Sequence, residues 1–247
     1  MLKRRLFTPG PVPVPDRVRL AMAQPIVHHR AADFIPIFEA CRTGLQRIFQ
    51  TEAPVLIFAS SGTGAMDASV SNLLSPGDHA LVVRGGKFGE RWAEICHGYG
   101  VRTTCIDVEW GRGADPAQVE AALDQHPDIR AVYLQASETS TAACHPVKEI
   151  AEIVRRSDDR LIVVDAITAI GVYDVPMDAW GLDVVVSGSQ KAFMMPPGLA
   201  FMGVSERAQR FMATSTCPHF YFDLNKELAA LPTDQTSWTS EIGRAHV

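Results

Sequence analysis

A chain of 247 residues suits one large domain or two small ones, and at this size it buries roughly 70–75% of its unfolded surface without needing staples. Apolar residues make up 47%, charged residues 21% and the formal net charge is −5; with no Lys/Arg-rich block, nucleic acid is excluded as the main partner. Five cysteines without CxxC spacing read as free thiols of a reducing compartment; no apolar segment follows the basic start, and the most apolar run, 161–172, is broken by Asp165 and too short for a bilayer, so a soluble, cytoplasmic protein with no membrane partner is expected.

The first 30 residues hold five prolines between Pro9 and Pro25, with Gly10 among them. They predict an extended arm, either a disordered terminus or a segment packing on a partner subunit. From residue 31 onward short apolar runs alternate with amphipathic stretches. The runs are 55–60, 80–84, 102–107, 131–135, 161–165, 183–187 and 199–204. Several are continuously apolar, as strands covered on both faces must be. Asp115, Pro116 and Gln118 mark a helix start, with Val119 and Leu123 on its apolar face, and 88–95 and 147–154 have similar faces. The alternation predicts an α/β fold, a three-layer αβα sandwich around a mostly parallel sheet of seven strands. Ligands of such sheets bind beyond the carboxyl ends of the strands, so chemistry belongs just after each run.

After the first run, Ser60, Ser61, Gly62, Thr63, Gly64 and Ala65 open an apolar helix through Val70 and Leu73. Free N–H groups at the positive end of a helix dipole bind phosphate, although many tight strand–helix turns share this composition. The Lys-Ser/Thr of a P-loop and the third glycine of GxGxxG are both missing, which speaks against a nucleotide. Phe88, behind Gly85, Gly86 and Lys87, is a core residue or an aromatic lying flat on a ring. Ser137, Glu138, Thr139, Ser140 and Thr141 form a hydroxyl-rich turn or part of a site. Asp165 is a cap for the next segment or, in a pyridoxal-phosphate site, the partner of the protonated pyridine nitrogen. Lys191, behind Ser187, Gly188, Ser189 and Gln190, would be a surface lysine if isolated. In a dry pocket its amine would lose proton affinity and become nucleophilic. It lies one strand–helix–strand step beyond Asp165, which puts both on one sheet edge. Eight histidines show neither HxxxH nor HExxH, so no metal is expected, and no GxSxG elbow anchors a hydrolase triad.

Together these residues resemble the class V aminotransferases of pyridoxal-phosphate fold type I, in the branch of alanine–glyoxylate, serine–pyruvate and archaeal-type aspartate aminotransferases. The resemblance runs from Leu6 to about Trp238. It rests on LFTPGP at 6–11, SGTGAM at 61–66, GGKFGERW at 85–92, ETST at 138–141, Val164 with Asp165, and SGSQK at 187–191 followed by PPG at 196–198. It implies pyridoxal 5′-phosphate as cofactor, with Lys191 forming the Schiff base and shuttling the proton between substrate Cα and cofactor C4′. It implies Asp165 on the pyridine nitrogen, Ile167 under the ring, Phe88 on its near face and Thr139 donating to the phenolic oxygen. Ser61, Gly62 and Thr63 would take the phosphate, helped by Gln190. It also implies a homodimer in which the segment near Gln235 and Thr236 reaches the neighbour's phosphate. The reaction would be ping-pong transamination from alanine, serine or aspartate to glyoxylate or pyruvate.

The chain departs from the family pattern at Ala136 and Ser137, where His and Asn or Gly are frequent, and at Ala142, where glycine is frequent. Residues 240–247 do not continue the pattern. The expected layout is therefore an arm at 1–30, a cofactor domain at 31–239 and a non-family tail at 240–247, without the small domain that supplies the substrate-carboxylate arginine. On that layout the chain as it stands is expected to be a crippled transaminase. Two other readings stay open: a cysteine desulfurase-like lyase of the same fold, which usually has histidine where Gln190 stands, and a non-catalytic remnant serving as a dimerisation or binding module.

Overall fold

The structure is a computed structural model that describes residues 6–233 and 236–238. Seven strands form one sheet: β1 (Val55–Ala59), β2 (His79–Arg84), β3 (Arg102–Asp107), β4 (Ile129–Gln135), β7 (Leu161–Asp165), β8 (Val184–Gly188) and β9 (Leu199–Val204). The short strands β5 (Ser137–Glu138) and β6 (Ala143–Cys144) pair apart from them as a hairpin. The order across the large sheet is β1-β9-β8-β7-β4-β2-β3. All pairs are parallel except those of β9, which runs antiparallel to both β1 and β8. A parallel return needs a crossover of a dozen or more residues. The connection 189–198 is too short for one, so β9 must turn back.

Each run of the sequence became one of these strands, the inner ones because both sheet faces are covered there, while β3 at the edge stays partly exposed. Alternate residues point to opposite faces. Leu81, Val83, Val132, Leu134, Ile162 and Val164 join one core with α2 (Ile35–Phe49), α5 (Pro116–Gln125) and α6 (Val147–Val154). Val82, Ala131, Tyr133, Leu161, Val163, Val184 and Val186 join the other with α3 (Gly62–Leu73), α4 (Lys87–Gly98) and α7 (Glu206–Met212). The start of α5 is as expected, with Pro116 in its first turn and the Asp115 carboxylate accepting from Ala117 N at 2.9 Å. Among the described residues no helix is long and apolar enough to cross a membrane.

The arm differs from its expected extended form, for it contains the helix α1 (Asp16–Met22). Its prolines flank rather than interrupt the helix: residues 16–24 are free of proline, and Pro15 stands at the N-cap. The arm also touches its own chain, through a bond from Val12 N to Gln190 O at 3.1 Å. The tail 240–247 and Gln235 lie outside the described residues.

At the amino-terminal edge of the sheet, the buried Asp183 accepts from Arg207 Nε and Nη2 at 2.9 Å each, from Ile162 N at 2.8 Å and from Ser205 Oγ at 3.2 Å. Both ion-pair side chains are hidden from water. Arg207→Ala strands that carboxylate and is expected to cost about 3–5 kcal/mol in urea unfolding; a loss below about 1 kcal/mol would show that the pair is not holding this edge.

Candidate active site

Four strand ends and one helix start converge at the carboxyl edge. The end of β7 supplies Asp165 and the segment after it Ile167 and Thr168, and the loop after β8 supplies Gln190 and Lys191. That loop is held at both ends by one hydroxyl: Ser189 Oγ donates to Pro196 O at 2.7 Å and accepts from Leu199 N at 3.2 Å. Ser189 N also reaches Leu199 O, and Met195 N reaches Ser189 O.

Asp165 is buried and accepts from Ile167 N at 2.9 Å through Oδ1. Burial pushes its pKa up to about 7; the Ile167 amide, Arg91 and Lys191 pull it back, while Glu138 adds to the rise. Lys191 is half-buried, and burial lowers its pKa, opposed by the charge of Asp165. A buried carboxyl and a half-buried amine thus stand at neighbouring strand ends, each shifting the other's proton affinity. From the arm, Gly10 packs on the Lys191 side chain so closely that a Cβ would stand 2.7 Å from Cε.

Helix α3 starts at Ser61 without a side-chain cap, which leaves first-turn N–H groups for a ligand. Gln190 Oε1 is buried and has no partner among the described residues. It and Gly62 N flank Gly188, 3.1 and 3.7 Å from where a Cβ there would stand. Ile167 packs against Gly62, its Cγ1 2.9 Å from the equivalent point. Thr63 Oγ1 accepts from Arg91 Nη1 at 3.1 Å, and the Arg91 guanidinium lies 4.9 Å from the Phe88 ring centroid. Thr168 Oγ1 donates to Ser137 O at 3.1 Å, so Thr139 is the donor in the 3.0 Å contact between Thr139 Oγ1 and Thr168 Oγ1.

Ser61, Gly62, Thr63, Ile167, Asp165, Gln190 and Lys191 are therefore drawn into one region, with Phe88 joined to Thr63 through Arg91 and Thr139 joined to the segment after Asp165 through Thr168. Three participants escaped the sequence reading. Arg91 stands one helical turn after Phe88, and Thr168 stands three residues after Asp165, spacings that could have marked them. Gly10 carries no local signal. One group with ligand-like spacing, His79, His126 and Asp128, lies at the opposite edge of the sheet. Two of its three members are already engaged: His79 contacts Asp128 at 3.1 Å and Thr104 at 2.9 Å, and Arg102 pairs with Asp128 at 2.8 Å.

Residues 19–223 match the family model "Aminotransferase class-V". The chain is 45% identical over 226 residues to the "Soluble hydrogenase, small subunit" of a Synechococcus strain, covering 91% of this chain and 59% of that one. It is 35% identical over 246 residues to the L-aspartate–glyoxylate aminotransferase of Paracoccus denitrificans, covering 96% of this chain and 61% of the relative. Among solved structures it is similar to a Thermus thermophilus aspartate aminotransferase of subgroup IV, with a TM-score of 0.91 and 35% identity over 98% of this chain and 68% of that one. The chain thus spans about 60% of the length of the curated relatives it matches.

Two stability changes follow from this edge. Ala142, where the family pattern favours glycine, has φ of 58°, in the left-handed region. Ala142→Gly relieves that strain and is expected to stabilise the chain by about 1 kcal/mol in urea unfolding; no gain or a loss would contradict the strain. For Asp165, a pKa raised from 3.8 to about 7 means the folded state holds the proton more tightly than the unfolded one. Its contribution is intact below about pH 4 and is lost as pH rises through 7. In ligand-free protein Asp165→Asn should remove this loss, gaining up to about 4 kcal/mol at pH 8 relative to pH 4; equal pH dependence in both proteins would refute the assignment.

Proposed function

Because the chain belongs to the class V aminotransferase family, we propose that it binds pyridoxal 5′-phosphate and serves transamination, with Lys191 as the catalytic residue. The observation that carries this reading is the buried Asp165 and half-buried Lys191 at neighbouring strand ends, beside an uncapped helix start. The residues present fit the cofactor: the free N–H groups at the start of α3 suit a phosphate, and a buried carboxyl beside a half-buried amine suits a cationic ring nitrogen.

Bound there, the cofactor would act as an electron sink for bond cleavage at a substrate Cα. Ser61, Gly62 and Thr63 would hold its phosphate at the positive end of α3, with Gln190 closing the cradle. Asp165 would pair with the ring nitrogen, and the arriving cation would offset the desolvation cost that the carboxylate otherwise bears. Ile167 would pack below the ring and Phe88 above it. Thr139 would donate to the phenolic oxygen by turning from Thr168. Lys191 would hold the cofactor through its amine and then move the proton at the substrate Cα, since burial keeps a larger share of it neutral.

The proposed donors are alanine, serine or aspartate and the acceptors glyoxylate or pyruvate, in keeping with the activity named for the Paracoccus relative. Residues 31–239 would form the cofactor domain with 1–30 as its arm, in a cytoplasmic homodimer where the segment near Gln235 and Thr236 meets the neighbour's site. A desulfurase-like reading is weaker because Gln190, not histidine, precedes the lysine.

Wild-type chain titrated with pyridoxal phosphate should develop a visible absorbance band that Lys191→Ala abolishes. Asp165→Asn should weaken binding by at least about tenfold, the worth of one lost charged partner. Excess aspartate, alanine or serine should convert the band toward that of the amine form; release of sulfide from cysteine instead would favour the lyase. No band at saturating cofactor would overturn the enzyme reading in favour of a binding or dimerisation module.

A further inference from the structure

Glu138 takes no part in the roles assigned above, yet its side chain is wholly hidden from water. Its two oxygens are divided between two segments. Oε2 accepts from Phe88 N at 3.1 Å and Gly89 N at 3.0 Å, both in the first turn of α4. Oε1 accepts from Ser140 N at 3.1 Å and Ser140 Oγ at 2.6 Å, in the turn that carries Thr139. Ser140 Oγ accepts in turn from Lys87 N at 3.0 Å. The three leading amides of α4 are thus met by the β5–β6 hairpin, since the N-cap of the helix, Gly86, has no side chain to offer. A Cβ on Gly86 would stand 2.7 Å from Glu138 Cγ and Cδ, so the carboxylate reaches the helix only because residue 86 is glycine.

We propose that Glu138 is a positioning residue for the cofactor: one carboxylate locks Phe88 and Thr139, which hold the ring from two sides, into a single unit. The proposal rests on the pyridoxal-phosphate reading above. Every partner of the carboxylate is a donor, and an acceptor-only group at the positive end of a helix suits them all. Fixing the Phe88 backbone at N2 of α4 sets the height of its ring. Fixing Ser140 sets the turn in which Thr139 faces the segment after Asp165. The charge also reaches the ring-nitrogen partner, since Glu138 helps to raise the Asp165 carboxyl. An isosteric amide cannot substitute. Whichever way the carboxamide of a Glu138→Gln variant turned, its NH2 would oppose either the Phe88 and Gly89 amides or the donors of Ser140.

The test compares the wild-type 247-residue chain with Glu138→Gln, Glu138→Asp and Ser140→Ala, each titrated with pyridoxal phosphate. Readouts are the dissociation constant, the visible circular dichroism per bound cofactor, the extent of borohydride trapping on Lys191, and the far-ultraviolet spectrum. Glu138→Gln should keep its helix content and still be trapped on Lys191. It should bind about tenfold or more weakly, with a diminished visible dichroism that reports a loosened ring. Glu138→Asp, which restores the acceptors on a shorter stem, should recover part of that signal, and Ser140→Ala should shift it in the same direction by less. Wild-type affinity and dichroism in Glu138→Gln would overturn the proposal. So would wild-type behaviour of Ser140→Ala if Glu138→Gln fails to fold. A wild type that binds no cofactor would instead bring down the functional reading, and this proposal with it.

Discussion

The loop that carries Lys191 is held around Ser189, whose hydroxyl and backbone both bond to residues 195–199. Ser189 bridges Pro196 O and Leu199 N, so the chain leaves β8 and enters β9 over a span too short for a helix. Two consequences follow. The last strand has to run antiparallel, which gives the sheet its one reversed strand. Lys191 is also confined close to the β8 end, next to the β7 end that carries Asp165, because β7 and β8 are neighbours. The pairing of amine and carboxyl is thereby a product of topology, with no direct bond between the two groups needed to hold it.

The two edges of the sheet treat buried charge in opposite ways. At the amino-terminal edge Asp183 is fully matched by Arg207, Ile162 N and Ser205, and His79, Asp128 and Arg102 satisfy one another. At the carboxyl edge Asp165 accepts from the Ile167 amide and has its pKa raised to about 7, Gln190 Oε1 has no described partner and α3 begins without a side-chain cap. Polar groups left unsatisfied in a buried place cost stability unless a ligand meets them. The open groups of the carboxyl edge stand where a ligand could meet them. Arg130 Nε and Arg160 Nε, near the amino-terminal edge, are also buried without a hydrogen-bond partner among the described residues and carry their cost within the scaffold.

The sheet was legible in the sequence because burial on both faces makes the inner strands continuous apolar runs, and strand ends then pointed to Asp165 and Lys191. What stayed hidden depended on distance. β1 lies at the sheet edge, two places from β8, yet α3 crosses over β8 and β9 and brings Gly62 beside Gly188. No periodicity reports such a crossing. Glu138 looked like one member of a polar turn, since its partners Phe88 and Gly89 stand about fifty positions earlier in the chain. The α1 helix was obscured by a different cause, for a cluster of prolines dominates composition even where a proline-free stretch lies between them. Ala142 was visible as a departure, but its meaning waited for its positive φ.

The arm helps to bury Lys191 from the far end of the chain. Proton affinity of an amine falls with burial, and burial is the cause of the lowered Lys191 pKa. Part of that cover is Gly10, packed on the lysine stem, in a segment tied to the same loop by the Val12–Gln190 backbone bond. A bulkier residue at position 10 would displace either the arm or the amine. The Val12 bond also holds the backbone of Gln190, whose side chain faces the start of α3. One short stretch of the arm therefore bears on both Lys191 and Gln190, which explains how a proline-rich terminus with little core of its own is held against the sheet edge.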